Sequence, residues 1–113
     1  MKINFPILIA AALLFALPPV ALADGDAKAG ALTNAMCQGC HGIPGYKTAF
    51  PAVYNVPKLG GQHAGYLVKA LQAYKSGERS HPTMRAIAAG LSDQDMADLA
   101  AYYAAADAST AAK

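Results

Sequence analysis

Residues 37–41 read Cys-Gln-Gly-Cys-His, and this run constrains the fold more than any other stretch of the chain. On a helical turn, positions i and i+3 share a face and i+4 lies beside them, so Cys37, Cys40 and His41 can all address one flat ligand. Two thiols at this spacing with an adjacent imidazole are the signature of covalent haem attachment. The thiols add across the haem vinyl groups as thioethers, and the imidazole becomes an axial ligand of the iron. A chain built on this motif has to fold around one covalent haem c, and the activity that follows is electron transfer through its iron.

Two other uses of the motif compete with that reading. A dithiol redox pair expects a strand leading into the motif and a βαβ context, neither of which is visible. A zinc site needs four tetrahedral ligands, and beyond these three the chain offers only His63 and His81 as imidazole donors, with no second Cys pair.

Residues 1–23 read as an export signal. Lys2 supplies a short positive region, residues 7–17 form an apolar stretch, and Ala21-Leu22-Ala23 before Asp24 matches the small-x-small cleavage pattern, so cleavage is expected after Ala23. The apolar run is shorter than the ~20 residues a membrane span needs, which argues against an uncleaved anchor. Export suits thioether formation, and the periplasm is the expected location. Residues 24–113 then form a single domain with no membrane span.

Without Lys2 the chain carries eight Lys or Arg against seven acidic residues, a balance of +1. That near-neutral surface predicts no nucleic-acid binding and no strong steering by a charged partner. A chain this short buries only about 60–65% of its unfolded surface, and small scaffolds usually need a staple. With no Trp and many Ala, the core here needs the macrocycle.

Asp24 or Asp26 can cap a first helix that carries Ala27, Leu32, Ala35 and Met36 into the attachment motif. Residues 42–61, with Pro44-Gly45, Pro51 and Pro57, predict a long irregular loop around one face of the haem. A second helix is expected over 63–75, where Leu67, Ala70, Leu71 and Tyr74 share a face and Ser76-Gly77 stops it. Residues 78–90 predict another loop. Ser92 and Asp95 make a capping box for the last helix, with Leu91 and Met96 as its hydrophobic staple. After Asp107 the tail is expected to fray.

The iron's second axial ligand is sought among Met36, Met84 and Met96. Met36 adjoins Cys37 and reads as packing, and Met96 serves the staple. Met84, in the expected loop after Pro82, has no helical pattern to serve and is the preferred ligand. His63 and His81 compete as imidazole alternatives. The remaining ring N–H of His41 should reach a backbone carbonyl in the Gly/Pro loop. Gln62, Tyr66, Arg79 and Arg85 are candidates for the haem propionates or rim, with ordinary surface roles as the alternative.

The motif near the mature N-terminus, the Pro57-Lys58-Leu59-Gly60-Gly61-Gln62 run, the Met84 segment and the closing Leu99-Ala100-Ala101-Tyr102-Tyr103 helix together resemble bacterial class I cytochromes c. The resemblance spans about residues 24–107 and is greatest to one half of the two-haem members. It implies an all-α fold of three to four helices wrapped around one haem with His41/Met84 ligation. It also implies a close crossing of the terminal helices, with Gly30 facing Leu99 and Tyr102. Where the family often has a Pro whose carbonyl receives the proximal His proton, residues 53–57 suggest Tyr54 at the matching place, with Pro51 as the other candidate.

The function expected is that of a periplasmic electron carrier, not an enzyme, acting on redox partner proteins as a monomer or weak dimer. The alternative keeps the haem but makes the chain an electron-transfer subunit of a periplasmic dehydrogenase or oxidase complex. A haem sensor with an open distal position and a non-haem dithiol or metal protein are the remaining classes.

Overall fold

A computed structural model describes residues 24–50 and 52–105. The expected leader, Pro51 and the tail after 107 lie outside the described residues. The described chain is helical, with α1 at Ala27–Thr33, α2 at Ala35–His41, α3 at Ala64–Ser76, α4 at Pro82–Ala89 and α5 at Asp93–Ala105. A two-residue hairpin, β1 at Lys47–Thr48 and β2 at Tyr54–Asn55, pairs antiparallel between α2 and α3.

Five helical segments replace the three or four expected, for two local reasons. The first helix breaks at Asn34, whose buried carboxamide sits at the joint and whose carbonyl accepts from the amides of Cys37 and Gln38 at 2.9 and 3.0 Å. The motif thus stands on its own short helix, separated from α1 by the break at Asn34. The second addition is α4, where the sequence predicted a loop. Pro82 occupies its first turn, where a missing N–H costs nothing and the fixed φ is already helical. His81 caps it, its ring Nδ1 accepting from the Met84 amide at 3.2 Å.

The capping box at α5 forms as expected. The Asp95 amide donates to Ser92 Oγ at 3.1 Å, while the Ser92 amide and hydroxyl donate back to Asp95 Oδ2 at 2.8 and 2.7 Å. These bonds favour the carboxylate and hold the Asp95 pKa below its ordinary value. Met96, one turn in, is completely buried, and Leu91 packs on the core.

That core lies between α3 and α5, from Leu67, Val68, Leu99, Ala100 and Tyr103. Cys37, Leu59, Ala64, Leu91 and Tyr102 pack around it, so the attachment motif is anchored directly to the apolar centre. Helix α1 crosses α5 so closely that a Cβ at Gly30 would overlap the carbonyl of Asp98 and stand 2.8 Å from the Tyr102 Cβ. The crossing expected against Leu99 and Tyr102 therefore falls on Asp98 and Tyr102, because Leu99 turns into the core at 2% exposure. Asp98 itself is buried, and its Oδ1 accepts from the Asp26 amide at 2.7 Å and from Gln94 Nε2 at 2.8 Å. No helix among the described residues is long and apolar enough to cross a membrane.

Candidate functional site

Helix α2 presents both cysteines as free thiols, each partly exposed, one turn apart. Cys37 leans on Tyr103, and burial pushes its pKa up, with the Tyr103 hydroxyl opposing that shift. The Tyr103 hydroxyl is raised too, first by its own burial and then by the neighbouring thiol. It is buried and completes no regular hydrogen bond, its polar neighbour being a thiol that bonds only weakly.

His41 ends α2, and its Nδ1 lies 2.7 Å from the carbonyl oxygen of Pro57. A carbonyl can only accept, so Nδ1 carries the hydrogen and Nε2 keeps its lone pair for a metal. The acceptor is thus neither Tyr54 nor Pro51, the two candidates read from the sequence. The hairpin explains this placement. Lys47 pairs with Asn55 and Thr48 with Tyr54, Thr48 Oγ1 accepts from the Tyr54 amide at 3.1 Å, and the Val56 amide reaches the Tyr46 carbonyl at 3.0 Å. These bonds fold the 42–61 segment back, so that Pro57 arrives at the end of α2. An irregular loop was expected there, and the pairing was missed because Thr48 works through its side chain rather than through a strand pattern.

Tyr54 instead packs its ring on His81, centroids 4.2 Å apart, and Tyr74 of α3 meets the same imidazole edge-on at 6.2 Å. His81 therefore ties the hairpin, α3 and the first turn of α4 together, with its Nδ1 already committed to the Met84 amide. Met84 sits half-buried on that turn, so it is a helical residue and not the loop residue expected. Of the other methionines, Met96 is enclosed in the core and Met36 is 67% exposed on α2. His63 stands exposed at the N-cap of α3 and makes no side-chain cap bond.

Gln62 turns back on the chain, its Oε1 accepting from the His63 amide at 3.0 Å. Tyr66 is half-exposed and accepts from Arg79 Nη1 at 3.3 Å, while the Arg79 guanidinium lies 4.8 Å from the centre of the Tyr74 ring. Those bonds raise the Arg79 pKa, the Tyr66 hydrogen bond most of all. Arg85 lies over Gly77, on another side of α4 from Met84.

The residues fit a haem on the chemistry of their donor set. Two thiols on one turn and an imidazole with its tautomer fixed stand together on α2, and Cys37 sets that helix against the core. The neighbouring segments carry Ile43, Tyr46, Tyr54 and Tyr66 substantially exposed, an excess of bare apolar surface for so small a core. A flat apolar group beside α2 would have such side chains to meet.

Residues 27–105 match the cytochrome c family, and the chain belongs to that family, whose domain carries covalent haem c and its iron. It is 42% identical over 98 residues to cytochrome c4 of Pseudomonas aeruginosa, which covers 87% of this chain and 47% of the relative. Cytochrome c-554(548) of Halomonas halodenitrificans is 44% identical over 82 residues, 70% of this chain and 94% of the relative. A protein of Stutzerimonas stutzeri named thiosulfate dehydrogenase electron acceptor is 40% identical over 104 residues, 88% of this chain and 46% of that protein. The chain spans about half the length of the cytochromes c4 it matches and nearly the whole of the shorter relative.

Proposed function

We propose that this chain is a periplasmic single-haem electron carrier, exported by residues 1–23, that passes one electron at a time between redox proteins and is not itself an enzyme. In this reading Cys37 and Cys40 would hold the haem as thioethers, and His41 Nε2 and Met84 Sδ would ligate its iron. The bound haem supplies an Fe(III)/Fe(II) couple. The observation that carries the reading is the 2.7 Å bond from His41 Nδ1 to the Pro57 carbonyl. It orients the ring, fixes the tautomer that leaves Nε2 free, and makes that nitrogen a better donor.

Met84 is favoured over its rivals by where they stand. Met96 is spent in the core, Met36 adjoins Cys37 on the proximal helix, and His81 has Nδ1 engaged as a cap. A thioether in place of a second imidazole raises the reduction potential. Gln62 and Tyr66 are assigned to the haem rim, with Arg79 acting there through the Tyr66 hydroxyl. The carrier works as a monomer or weak dimer through small, short-lived contacts. A second reading, an electron-accepting subunit of a periplasmic dehydrogenase complex, draws support from the likeness to the thiosulfate dehydrogenase electron acceptor. Co-purification with a catalytic subunit would favour it.

Visible spectra of the periplasmic protein test the assignment. The expected result is covalent haem with a sulfur-to-iron band that Met84→Ala abolishes and Met36→Ala leaves in place. Protein without covalent haem would overturn the function, and a wild-type spectrum lacking the sulfur band would overturn Met84 alone.

A further inference from the structure

Helix α4 has two faces, and only one of them belongs to the site described above. Met84 and Ala88 lie on the inner face, half-buried and fully buried. Pro82, Arg85, Ala86 and Ala89 recur at i, i+3, i+4 and i+7 on the opposite, exposed face. That outer face and the preceding Gly77, Arg79, Ser80 and His81 border an open concavity of about 480 Å³.

Two guanidinium groups line it, and each has a defined position. Arg79 is held by the Tyr66 hydroxyl and the Tyr74 ring. Arg85 lies over Gly77, which takes a left-handed φ of 86°. A Cβ there would stand 3.4 Å from Arg85 Cζ. Among the described residues neither arginine has a carboxylate within ion-pair distance, and the side chains that act on Arg79 are Tyr66 and Tyr74, against an opposing effect of burial. An anion in the hollow would meet both guanidinium groups. Their planar forks suit oxygens arranged around a central atom, and Ser80 adds a hydroxyl to the same lining.

We propose that this hollow binds a small dianionic oxyanion of the phosphate or sulfate class, held between Arg79 and Arg85 with Ser80 as a further donor. The same concavity is bordered by Pro82, Ala86 and Ala89 as well as the two cations, and a free anion can enter it where a flat protein surface could not follow. The hollow shares Arg79 with the proposed haem rim, so the test turns on Arg85, which the proposed carrier function does not use.

The test is calorimetric titration of the haem-loaded protein with inorganic phosphate in a low-salt zwitterionic buffer, with chloride as the control. Saturable one-to-one binding is expected for phosphate and not for chloride. Losing one charge-assisted fork should cost about tenfold or more in affinity in Arg85→Gln, with Arg85→Lys intermediate. Ala89→Leu, which fills the hollow and keeps both arginines, should weaken binding as well. Far-UV dichroism and the haem spectrum establish that each variant is folded. No saturable heat through millimolar phosphate, or equal affinity in folded Arg85→Gln, would overturn the proposal. So would Arg85-dependent binding of a short acidic peptide tighter than phosphate, which would reassign the hollow to a carboxylate on a partner protein.

Discussion

Gly30→Ala tests the packing on which the attachment helix depends. The added Cβ would overlap the Asp98 carbonyl and crowd the Tyr102 Cβ, and neither can yield, because both belong to the backbone or first side-chain atom of a buried helix. To regain van der Waals separation α1 must back away from α5 by roughly 1 Å. Overpacking of this kind costs about 1–3 kcal/mol. The same retreat breaks the 2.7 Å bond from the Asp26 amide to the buried Asp98 carboxylate, a charge-assisted bond worth about 1.5–3 kcal/mol. Against these losses, Ala is the better helix former by about 1 kcal/mol. The net is a destabilisation of about 2–5 kcal/mol, and for a domain of this size a fall in Tm on the order of 10–30 °C. Denaturant and thermal unfolding of the haem-loaded protein, followed by far-UV dichroism, measure it. Gly65→Ala is the control, because a Cβ there meets nothing within 4 Å and should be neutral or stabilising by up to about 1 kcal/mol. If Gly30→Ala came within about 0.5 kcal/mol of wild type, the close crossing would not be the constraint argued here.

Three further outcomes are expected. His81→Ala removes the cap of α4 and should cost about 1 kcal/mol, with His81→Asn recovering most of it since Asn also caps well; urea unfolding reads both. Tyr103→Phe deletes a buried hydroxyl that completes no regular hydrogen bond, so its Tm should rise, by an amount equivalent to about 1 kcal/mol. Asp95 has a folded pKa held below its unfolded one by Ser92, so its contribution is present above the unfolded pKa and is lost as pH falls through the folded value. Stability of wild type relative to Asp95→Asn should therefore shrink on acidification and vanish below that range, and a gap that persists or widens in acid would contradict the sign.

The chemistry of the site was legible in the chain because it is carried by covalent spacing. Cys37, Cys40 and His41 are neighbours in sequence, and a helical turn alone brings them to one side. The Ser92/Asp95 capping box was legible for the same reason, as was the Gly77 stop of α3, where the left-handed conformation demands a residue without a Cβ. The cap at His81 was not legible. Imidazole is an uncommon N-cap, and its role shows only through the position of the Met84 amide.

What the sequence by itself determined is the Cys37, Cys40 and His41 attachment motif, the helical class, the extent of α3 to within a residue and the start of α5, since each follows from contacts within four residues. Tertiary structure alone decided that the Pro57 carbonyl accepts the His41 hydrogen bond, that Tyr54 packs on His81, and that Gly30 meets Asp98. Those partners stand 16, 27 and 68 positions apart in the numbered chain. Their meeting depends on how a two-residue hairpin and a helix crossing divide space, and no local propensity encodes that division.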